Sequence, residues 1–431
     1  MKKFISFALS ALIFTSITTS SFAQPVPQNI DRGKLEGSLF IVGGAYNNDT
    51  EDAQAKYVEL AGGIENAKIG VIGAASSRPH RNSMRVINNL ISRGVPEENL
   101  VLLPLAVKDD SGTKDIDEST WIENGNNDDV VAQIKELSGI WFVGGDQTLI
   151  TKVLLNDDKT PTKALEAIWE IYEKGAVIGG TSAGAAIMSE IMIAGGTSAG
   201  ALLEGTTEVY ESMGDQERGP LYLEEGLNFF DKGIIDQHFD RKARLGRLLY
   251  LTHLNKEIYP YGFGVDENTA MVYNPKTNTV EVFGRGGVTI VDATNAVYEN
   301  GQYRDFRISY IERGDVVDLE TMEIKIDENK YETVGYEYMY IENPMISGPL
   351  NGYGTIKDIL SFLVADNEAA TSAKAYVYDE AGRGYELVFY QDELTQGYYS
   401  TPYGGQDHYS VVNMKLDLNP VQVNIVPREV Q

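Results

Sequence analysis

Cysteine is absent from this sequence of 431 residues. The absence excludes disulfide bonds, a thiolate nucleophile and any metal site built on cysteine sulfur. Histidine is scarce as well, so a reaction that needs an imidazole has few residues to draw on. The four histidines are His80, His238, His253 and His408.

Basic residues are in short supply, with 36 Lys and Arg against 63 Asp and Glu, which gives a net charge of -27 at pH 7. A chain of that sign is repelled by nucleic acid and by anionic membrane, so neither is expected as a partner. A cationic or zwitterionic ligand is compatible with the charge. The simpler explanation is a solvated acidic surface that keeps the protein soluble.

Long hydrophobic runs are missing beyond the first residues, so no membrane span is expected in the mature chain. The sequence begins with two lysines, an apolar stretch from Phe4 to Ile17 and the small-x-small sequence SFA, which ends at Ala23. This pattern predicts a signal peptide over residues 1–23, cleaved near Ala23, and a secreted protein, periplasmic or extracellular. The alternative, an anchoring helix, is disfavoured because the apolar stretch is short.

From Ser38 to about Val291 the sequence alternates apolar β-type runs with helical patterns. The alternation predicts a doubly wound parallel α/β sheet sandwiched by helices, with ligands at the carboxyl ends of the strands. Glycine pairs at 43–44, 144–145 and 179–180 fall at those ends. The strand-like runs are SLFIVGG, KIGVIGAA, NLVLLPLAV, IWFVGGD and AVIGG.

The length favours two domains. We expect a linker over residues 24–36 and an α/β catalytic domain over residues 37–326. Residues 327–431 are rich in tyrosine, with alternating strand patterns and glycine turns, and predict a β-rich or α+β accessory domain. Polymer binding and a simple packing role are both open for that domain.

The heptapeptide GGTSAGA occurs twice between residues 179 and 205, and each copy places a serine in a G-x-S-x-G frame. Such a frame can lift a serine onto a sharp strand-to-helix turn and expose it as a nucleophile. Ser182 follows a predicted strand and precedes a helical run. Ser198 has too few residues before it for a crossover and another parallel strand, so we expect a glycine-rich loop there.

His238 is the best candidate for a base, because it lies at a predicted strand end just before a helix. Glu267 follows another strand and could orient the imidazole, with Asp266 as the competing residue. His80 and His408 lie in polar surroundings that suggest exposure. The chain order Ser, His, acid differs from that of the α/β-hydrolases and disfavours an esterase of that fold.

Five motifs, taken together and in this order, resemble the cyanophycinases, which are serine peptidases of the peptidase E (aspartyl dipeptidase) superfamily. The similarity covers about residues 37–325. It implies a fold related to class I glutamine amidotransferases. The motifs are IVGG at 41–44, FVGGDQ at 142–147, GGTSAGA at 179–185, DQHFDRKARLGRL at 236–248 and GFGVDENTA at 262–270.

The resemblance implies hydrolysis of cyanophycin, a poly-aspartate chain with arginine on each β-carboxyl, to β-Asp-Arg dipeptides through an acyl-enzyme. It implies neither a metal nor a cofactor. It assigns Ser182 as nucleophile, His238 as general base and Glu267 as the third member of the triad. The substrate polymer is the expected partner, and a homodimer is among the expectations.

The same resemblance implies the groups around the triad. The amide of Ala183 and one from the turn at Gly145 and Asp146 would form the oxyanion hole. Gln147, in the same turn, would hydrogen-bond the substrate main chain. A turn-stabilising amide is the alternative for Gln147.

Arg241, Arg244 and Arg247 recur at i, i+3 and i+6 on a predicted helix after His238, on a face about half a turn from the core. A solvated face is the simple explanation and is favoured for Arg241. For Arg244 and Arg247, which match the family's R-L-G-R, we expect clamps on substrate carboxylates. Asp236 and Gln237 would receive the substrate's guanidinium and amides.

The sequence departs from the family in the stretch from Gly205 to Asp231, which is longer and more acidic than expected and could reshape the substrate groove. Three other functions stay open: a peptidase for α-Asp or isoaspartyl peptides, a non-catalytic polymer-binding protein and an unrelated serine esterase. Loss of catalysis is disfavoured because every triad position is filled.

Overall fold

The structure is a computed structural model. The predicted signal peptide lies outside the residues it describes. The described residues are 25–46, 50–349, 355–401, 407–424 and 426.

Helices occur mainly in the first two thirds of the described chain, where they alternate with strands. In chain order they are α1 (Glu51–Leu60), α2 (Pro79–Ser92), α3 (Asp128–Lys135), α4 (Thr148–Leu154), α5 (Lys163–Glu173), α6 (Ala183–Ala186), α7 (Ser198–Glu204), α8 (Leu245–Leu254) and α9 (Thr355–Leu360). Tighter 3-10 turns are Arg32–Lys34, Glu97–Asn99, Glu118–Asn126 and Met213–Glu217, and a π-helical turn is Ser361–Ala365.

Strands run through the whole described chain. In order, the first twelve are β1 (Ser38–Val42), β2 (Ile69–Ile72), β3 (Leu100–Leu103), β4 (Gly139–Phe142), β5 (Val177–Thr181), β6 (Ile191–Gly195), β7 (Thr206–Thr207), β8 (Leu221–Glu225), β9 (Ile234–Asp236), β10 (Tyr261–Val265), β11 (Thr269–Asn274) and β12 (Thr279–Gly284). The others are β13 (Val288–Asp292), β14 (Val297–Glu299), β15 (Gln302–Ile311), β16 (Val316–Asp318), β17 (Ile324–Lys325), β18 (Tyr331–Glu332), β19 (Met345–Pro349), β20 (Ser372–Tyr378), β21 (Arg383–Tyr390), β22 (Gln396–Ser400) and β23 (His408–Gln422).

The first sheet has the order β17-β16-β12-β11-β1-β5-β4-β2-β3. Its strands β3, β2, β4, β5 and β1 pair in parallel, and these are the five strands expected from the sequence. On the other side of β1, strands β11, β12, β16 and β17 extend the sheet in antiparallel pairs. The predicted α/β class is therefore confirmed.

Helices cover both faces of this sheet, which is why its central strands are apolar throughout. Alternate residues of β1 show the two layers. Leu39 and Ile41 are buried in the same core as Trp169 of α5. Phe40, which points to the other face, is buried in a second core with Tyr57 of α1.

The second sheet has the order β19-β20-β21-β23-β15-β13-β10-β9, with β14, β18 and β22 attached beside it. The β-rich C-terminal region predicted from the sequence is confirmed. Its strand β23 pairs along β15, so hydrogen bonding continues across residue 327 into the sheet that holds β9 and β10. The domain boundary near residue 327 stays a prediction.

The third sheet, β6-β8-β7, corrects the interpretation of the second heptapeptide. Strand β6 ends at Gly195 and helix α7 begins at Ser198, so this copy is also a strand-to-helix turn and not a loop. The crossover argument failed because β6 pairs antiparallel with β8, which needs no crossover helix. Ser198 Oγ donates to the Ala243 carbonyl at 2.5 Å, a structural hydrogen bond.

The C-terminal region is held to the rest of the protein by a buried ionic cluster around Glu312. The carboxylate accepts from Lys357 Nζ at 2.9 Å and from the Tyr409 amide at 2.9 Å, and it lies 3.1 Å from His408 Nδ1. His408 is buried, so the expectation that it is exposed is wrong. Sequence context misled here because its partner lies 96 residues away.

Substituting Glu312→Gln should destabilise the fold, because it removes the charge of the buried carboxylate that pairs with Lys357. We expect a loss of about 3 kcal/mol in the free energy of unfolding. The measurement is chemical denaturation followed by circular dichroism. Glu59→Gln is the matched control, since Glu59 pairs with Lys56 at the surface and should change stability by less than about 1 kcal/mol. Equal losses in both variants would contradict the prediction.

Candidate active site

Ser182 occupies a sharp turn between β5 and α6. Its backbone has φ 56° and ψ -109°, a region that side chains rarely adopt, and its amide donates to the Val42 carbonyl at 3.0 Å. Holding a residue there costs about 1–3 kcal/mol, and such strain is typical of functional positions. The strand-turn-helix setting expected for Ser182 is therefore present.

His238 follows a strand of the second sheet, and its side chain contacts Ser182. It follows β9, has φ 45°, and its amide donates to the Gly43 carbonyl at 2.6 Å. Its Nε2 lies 2.9 Å from Ser182 Oγ. On the other side of the ring, Nδ1 lies 2.6 Å from Oε1 of Glu267, which follows β10. Three strand ends thus bring a hydroxyl, an imidazole and a carboxylate into one hydrogen-bonded chain.

Asp266, the competing partner for the imidazole, is engaged elsewhere. Its carboxylate accepts from the amides of Asp240 and Gly287, at 3.1 Å and 3.2 Å, and from the Tyr310 hydroxyl at 3.1 Å. Burial, and then the charge of Asp240, raise the pKa of Asp266 to about 8. The geometry therefore selects Glu267 as the group that orients the ring of His238.

The environment of His238 keeps its ring neutral. Burial lowers the pKa of His238 to about 4; the Glu267 hydrogen bond works against this, whereas the charges of Lys242 and Arg244 add to it. A neutral imidazole whose Nδ1 faces a carboxylate leaves Nε2 free to accept a proton from Ser182. The arrangement can therefore perform general base chemistry around and above neutral pH.

Glycine is required at two positions around these side chains. A Cβ on Gly44, which has φ +130°, would lie 2.2 Å from His238 Cε1. A Cβ on Gly144 would lie 3.0 Å from Ser182 Cβ. The glycine pairs after β1 and β4 thus make room for the imidazole and the hydroxyl.

The oxyanion site expected from the sequence needs one correction. The Asp146 amide donates to the Ala75 carbonyl at 2.9 Å, so it is not available to a substrate oxygen. The amides of Ala183, which follows Ser182, and of Gly145 are the remaining candidates. Gly145 lines the same cleft as Ser182.

The side-chain amide of Gln147 is hydrogen-bonded within the protein. It is buried, its Nε2 donates to the carbonyls of Ile193 and Ala194 at 2.9 Å and 3.2 Å, and its Oε1 accepts from Gln216 Nε2 at 3.0 Å. The expected contact with the substrate main chain is therefore not possible in this structure. Gln147 instead ties the turn after β4 to β6.

Arg247 and Asp236 also differ from expectation, because they bind each other. Arg247 Nε and Nη2 donate to the two carboxylate oxygens at 2.7 Å and 2.6 Å, and Nη1 donates to the Gly196 carbonyl at 2.7 Å. Both side chains are at most 2% exposed. The structure contradicts their placement as open contacts for a substrate carboxylate and guanidinium.

Arg244 is buried as well. It precedes α8, so the three arginines do not share one helix face, and only Arg241 is exposed, as favoured from the sequence. Arg244 Nη1 donates to the Gln237 carbonyl at 2.6 Å, and Nη2 donates to Glu217 Oε1 at 2.8 Å. Burial lowers the pKa of Arg244 to about 10.

The segment between Gly205 and Asp231 accounts for two of these differences. It supplies Gln216 to Gln147 and Glu217 to Arg244, so both side chains are bound within the protein. Gln237 is buried beside it, and its Oε1 has no hydrogen-bond partner among the described residues. The acidic composition of the segment was visible in the sequence, but its point of contact was not.

The open space beside Ser182 is lined by other residues. A cleft of about 950 Å³ reaches Ser182, His238, Gly144 and Gly145, and its outer wall is helix α2. Sequence reasoning assigned no residue of α2 to the site. One feature of the sequence could have indicated α2. No acidic residue occurs from 66 to 96, although the chain has 63 Asp and Glu residues.

Comparison with known proteins identifies the family. Residues 120–280 match peptidase family S51. The cyanophycinase of Geminocystis herdmanii (strain PCC 6308) is 30% identical over 269 residues, which cover 62% of this chain and 84% of that protein. The chain belongs to the cyanophycinase family. The cyanophycinase of Synechococcus elongatus is 27% identical over 300 residues, covering 67% of this chain and 81% of that protein.

Membership in the family makes this protein a serine-type peptidase of the peptidase E superfamily. Among solved structures, a peptidase from an acI-B1 actinobacterium aligns with a TM-score of 0.44 and 19% identity, covering 66% of this chain and 98% of that one.

Each helix in the described ranges is too short or too polar to cross a membrane.

Gly44→Ala should inactivate the peptidase although it replaces none of the three hydrogen-bonded side chains, because the added Cβ collides with the imidazole of His238. We expect at least a 100-fold fall in the rate at which a fluorophosphonate probe labels Ser182. Gly175→Ala is the control, because Gly175 also has positive φ, +113°, but an added Cβ meets nothing within 4 Å. Equal labelling rates in the two variants would show that His238 tolerates the side chain.

Proposed function

We propose that this peptidase hydrolyses cyanophycin and releases β-Asp-Arg dipeptides. The observation that carries the proposal is the chain of hydrogen bonds from Ser182 through His238 to Glu267, at 2.9 Å and 2.6 Å. Its relatives named cyanophycinase supply the substrate class. The open cleft beside Ser182 is large enough for several residues of a peptide.

In the first half of the reaction, Ser182 Oγ attacks a backbone carbonyl of the polymer while its proton passes to His238 Nε2. Glu267 holds the Nδ1 proton and stabilises the imidazolium that forms. The amides of Ala183 and Gly145 would donate to the oxyanion of the tetrahedral intermediate. Collapse of the intermediate breaks the peptide bond, and His238 returns the proton to the leaving amine.

The second half releases the acyl group. Water takes the place of the departed amine and gives its proton to His238 Nε2 as its oxygen attacks the acyl-enzyme ester. The second tetrahedral intermediate collapses, the new carboxylic acid leaves, and Ser182 recovers its proton. Every proton in this cycle moves through one imidazole, so its neutrality at rest is essential.

A peptidase for α-Asp or isoaspartyl peptides is the competing function. Incubating the protein with insoluble cyanophycin, and separately with Asp-X and β-Asp-X dipeptides, tests both. We expect soluble β-Asp-Arg, identified by mass spectrometry, from the polymer. Cleavage of the dipeptides alone would overturn the proposal in favour of the competing function, and turnover of neither would favour a non-catalytic binding protein.

Ser182→Ala should abolish turnover, with a loss of at least about 10⁴-fold in kcat, because no other group can form the acyl-enzyme. Ser198→Ala, in the second heptapeptide, should keep kcat within a few-fold. It should lower the free energy of unfolding by about 1–3 kcal/mol, since Ser198 Oγ bonds the Ala243 carbonyl. Kinetics and denaturation on both variants check this, and an exchange of the two phenotypes would refute it.

The pH profile should reveal the lowered pKa of His238. Its imidazole is a base only when neutral, so kcat/KM should hold at mildly acidic pH and fall only as the pH approaches about 4. Glu267→Gln removes a hydrogen bond that raises this pKa, so the acid limb should shift to still lower pH while the maximal rate falls. An acid limb near the ordinary histidine value of about 6.5 would contradict the assignment.

A further inference from the structure

The cleft beside Ser182 has a wall that the mechanism does not use. Helix α2 turns one face towards it, with Asn82, Arg85 and Asn89 at i, i+3 and i+7, followed by Arg93 just after the helix. These residues line the same cleft as Ser182 and His238. Any substrate that fills the cleft therefore meets two guanidinium groups.

The two arginines are not neutralised by the protein. Among the described residues, neither Arg85 nor Arg93 forms an ion pair with a carboxylate, whereas Arg81 of the same helix pairs with Asp110 at 3.4 Å. Arg85 is exposed, and Arg93 Nε donates only to the neutral Asn89 Oδ1 at 3.2 Å. No acidic residue occurs from 66 to 96, although the chain has 63 of them.

The floor of the cleft also offers hydrogen-bond donors. Tyr46 and Trp141 stack with ring centroids 5.3 Å apart, and Tyr57 contacts Trp141 edge-on at 4.9 Å. The hydroxyls of Tyr46 and Thr181 and the indole N–H of Trp141 are buried without a hydrogen-bond partner among the described residues. Unpaired buried polar groups are costly in a folded protein, so a ligand that accepts from them is favoured.

The two arginines and the unpaired hydrogen-bond donors together favour a ligand that carries hydrogen-bond acceptors and negative charge. Burial raises the pKa of Tyr46 well above its ordinary value, and the charge of Arg93, which lines the same cleft, opposes that rise. Planar guanidinium groups bind carboxylates with two parallel hydrogen bonds. The wall and the floor can thus act on the same ligand.

We propose that the cleft is a substrate subsite in which Arg85 and Arg93 bind free carboxylates while the floor donors bind carbonyl oxygens. The proposal rests on the proposed function, in which each arginine branch of the polymer ends in a free carboxylate. It gives Arg85 and Arg93 the task that the sequence suggested for Arg244 and Arg247. They are specificity-determining residues and take no part in proton transfer.

The kinetic test uses Arg85→Gln, Arg93→Gln and the double variant, with Arg81→Gln as the control. Each single variant should raise KM for cyanophycin about 10- to 100-fold, the effect of losing one charged contact, with kcat changed less than three-fold. The thermal midpoint should stay unchanged, because neither side chain has an ionic partner among the described residues. Arg81→Gln should keep the wild-type KM, because the guanidinium of Arg81 is already paired with Asp110.

A binding test separates this proposal from the proposed function. β-Asp-Arg and its C-terminal amide are titrated calorimetrically into Ser182→Ala protein, with and without the double arginine substitution. We expect the free carboxylate to bind more tightly than the amide, and the difference to vanish in the double variant. The calorimetric measurement does not depend on turnover, so it still tests the subsite if cyanophycin is not hydrolysed.

Two results would overturn the subsite. One is a normal KM for cyanophycin in the double variant, whatever its stability. The other is equal affinity for the carboxylate and the amide in protein that keeps both arginines. If cyanophycin is not cleaved but the calorimetric difference is found, the carboxylate subsite stands and only the identity of the substrate changes.

Discussion

The site depends on the hydrogen bonding of the Gly43–Gly44 backbone, which joins the two large sheets. The Gly43 carbonyl accepts from the His238 amide at 2.6 Å, and the Gly44 carbonyl accepts from the Asn268 amide at 2.8 Å. A Cβ on Gly43 would lie 2.2 Å from the carbonyl oxygens of Val265 and Asp266. Only glycine lets the strands that carry nucleophile, base and acid approach this closely.

Buried ion pairs then fix the elements that this junction brings together. Asp236 precedes Gln237 and His238, and both oxygens of its carboxylate accept hydrogen bonds from Arg247. A side chain held in this way cannot turn without leaving two buried charges unpaired, which costs several kcal/mol. Arg247 therefore helps to position the end of β9, and with it the imidazole, while it stays out of contact with the substrate.

The parts of the structure that the sequence predicted are those specified locally. Strands β1, β2, β4 and β5 are apolar runs that contain glycine or are followed by it within two residues, and Ser182, His238 and Glu267 each lie just after a strand. Two of the errors concern side chains whose partners are distant in the chain. Gln147 bonds Gln216, 69 residues away, and His408 contacts Glu312, 96 residues away. No periodicity within a helix or strand carries that information.

Charge favours the proposed substrate, a zwitterionic polymer, over a simple polyanion. At a net charge of -27, the surface repels an incoming anion over about one Debye length, roughly 8–10 Å. A polymer whose branches each carry one carboxylate and one guanidinium has no net charge, so it would approach without that penalty. Once in the cleft, its carboxylates would meet Arg85 and Arg93 at short range, where screening is weak. Under this proposal, long-range repulsion disfavours polyanions, and short-range attraction selects the neutral polymer by its free carboxylates.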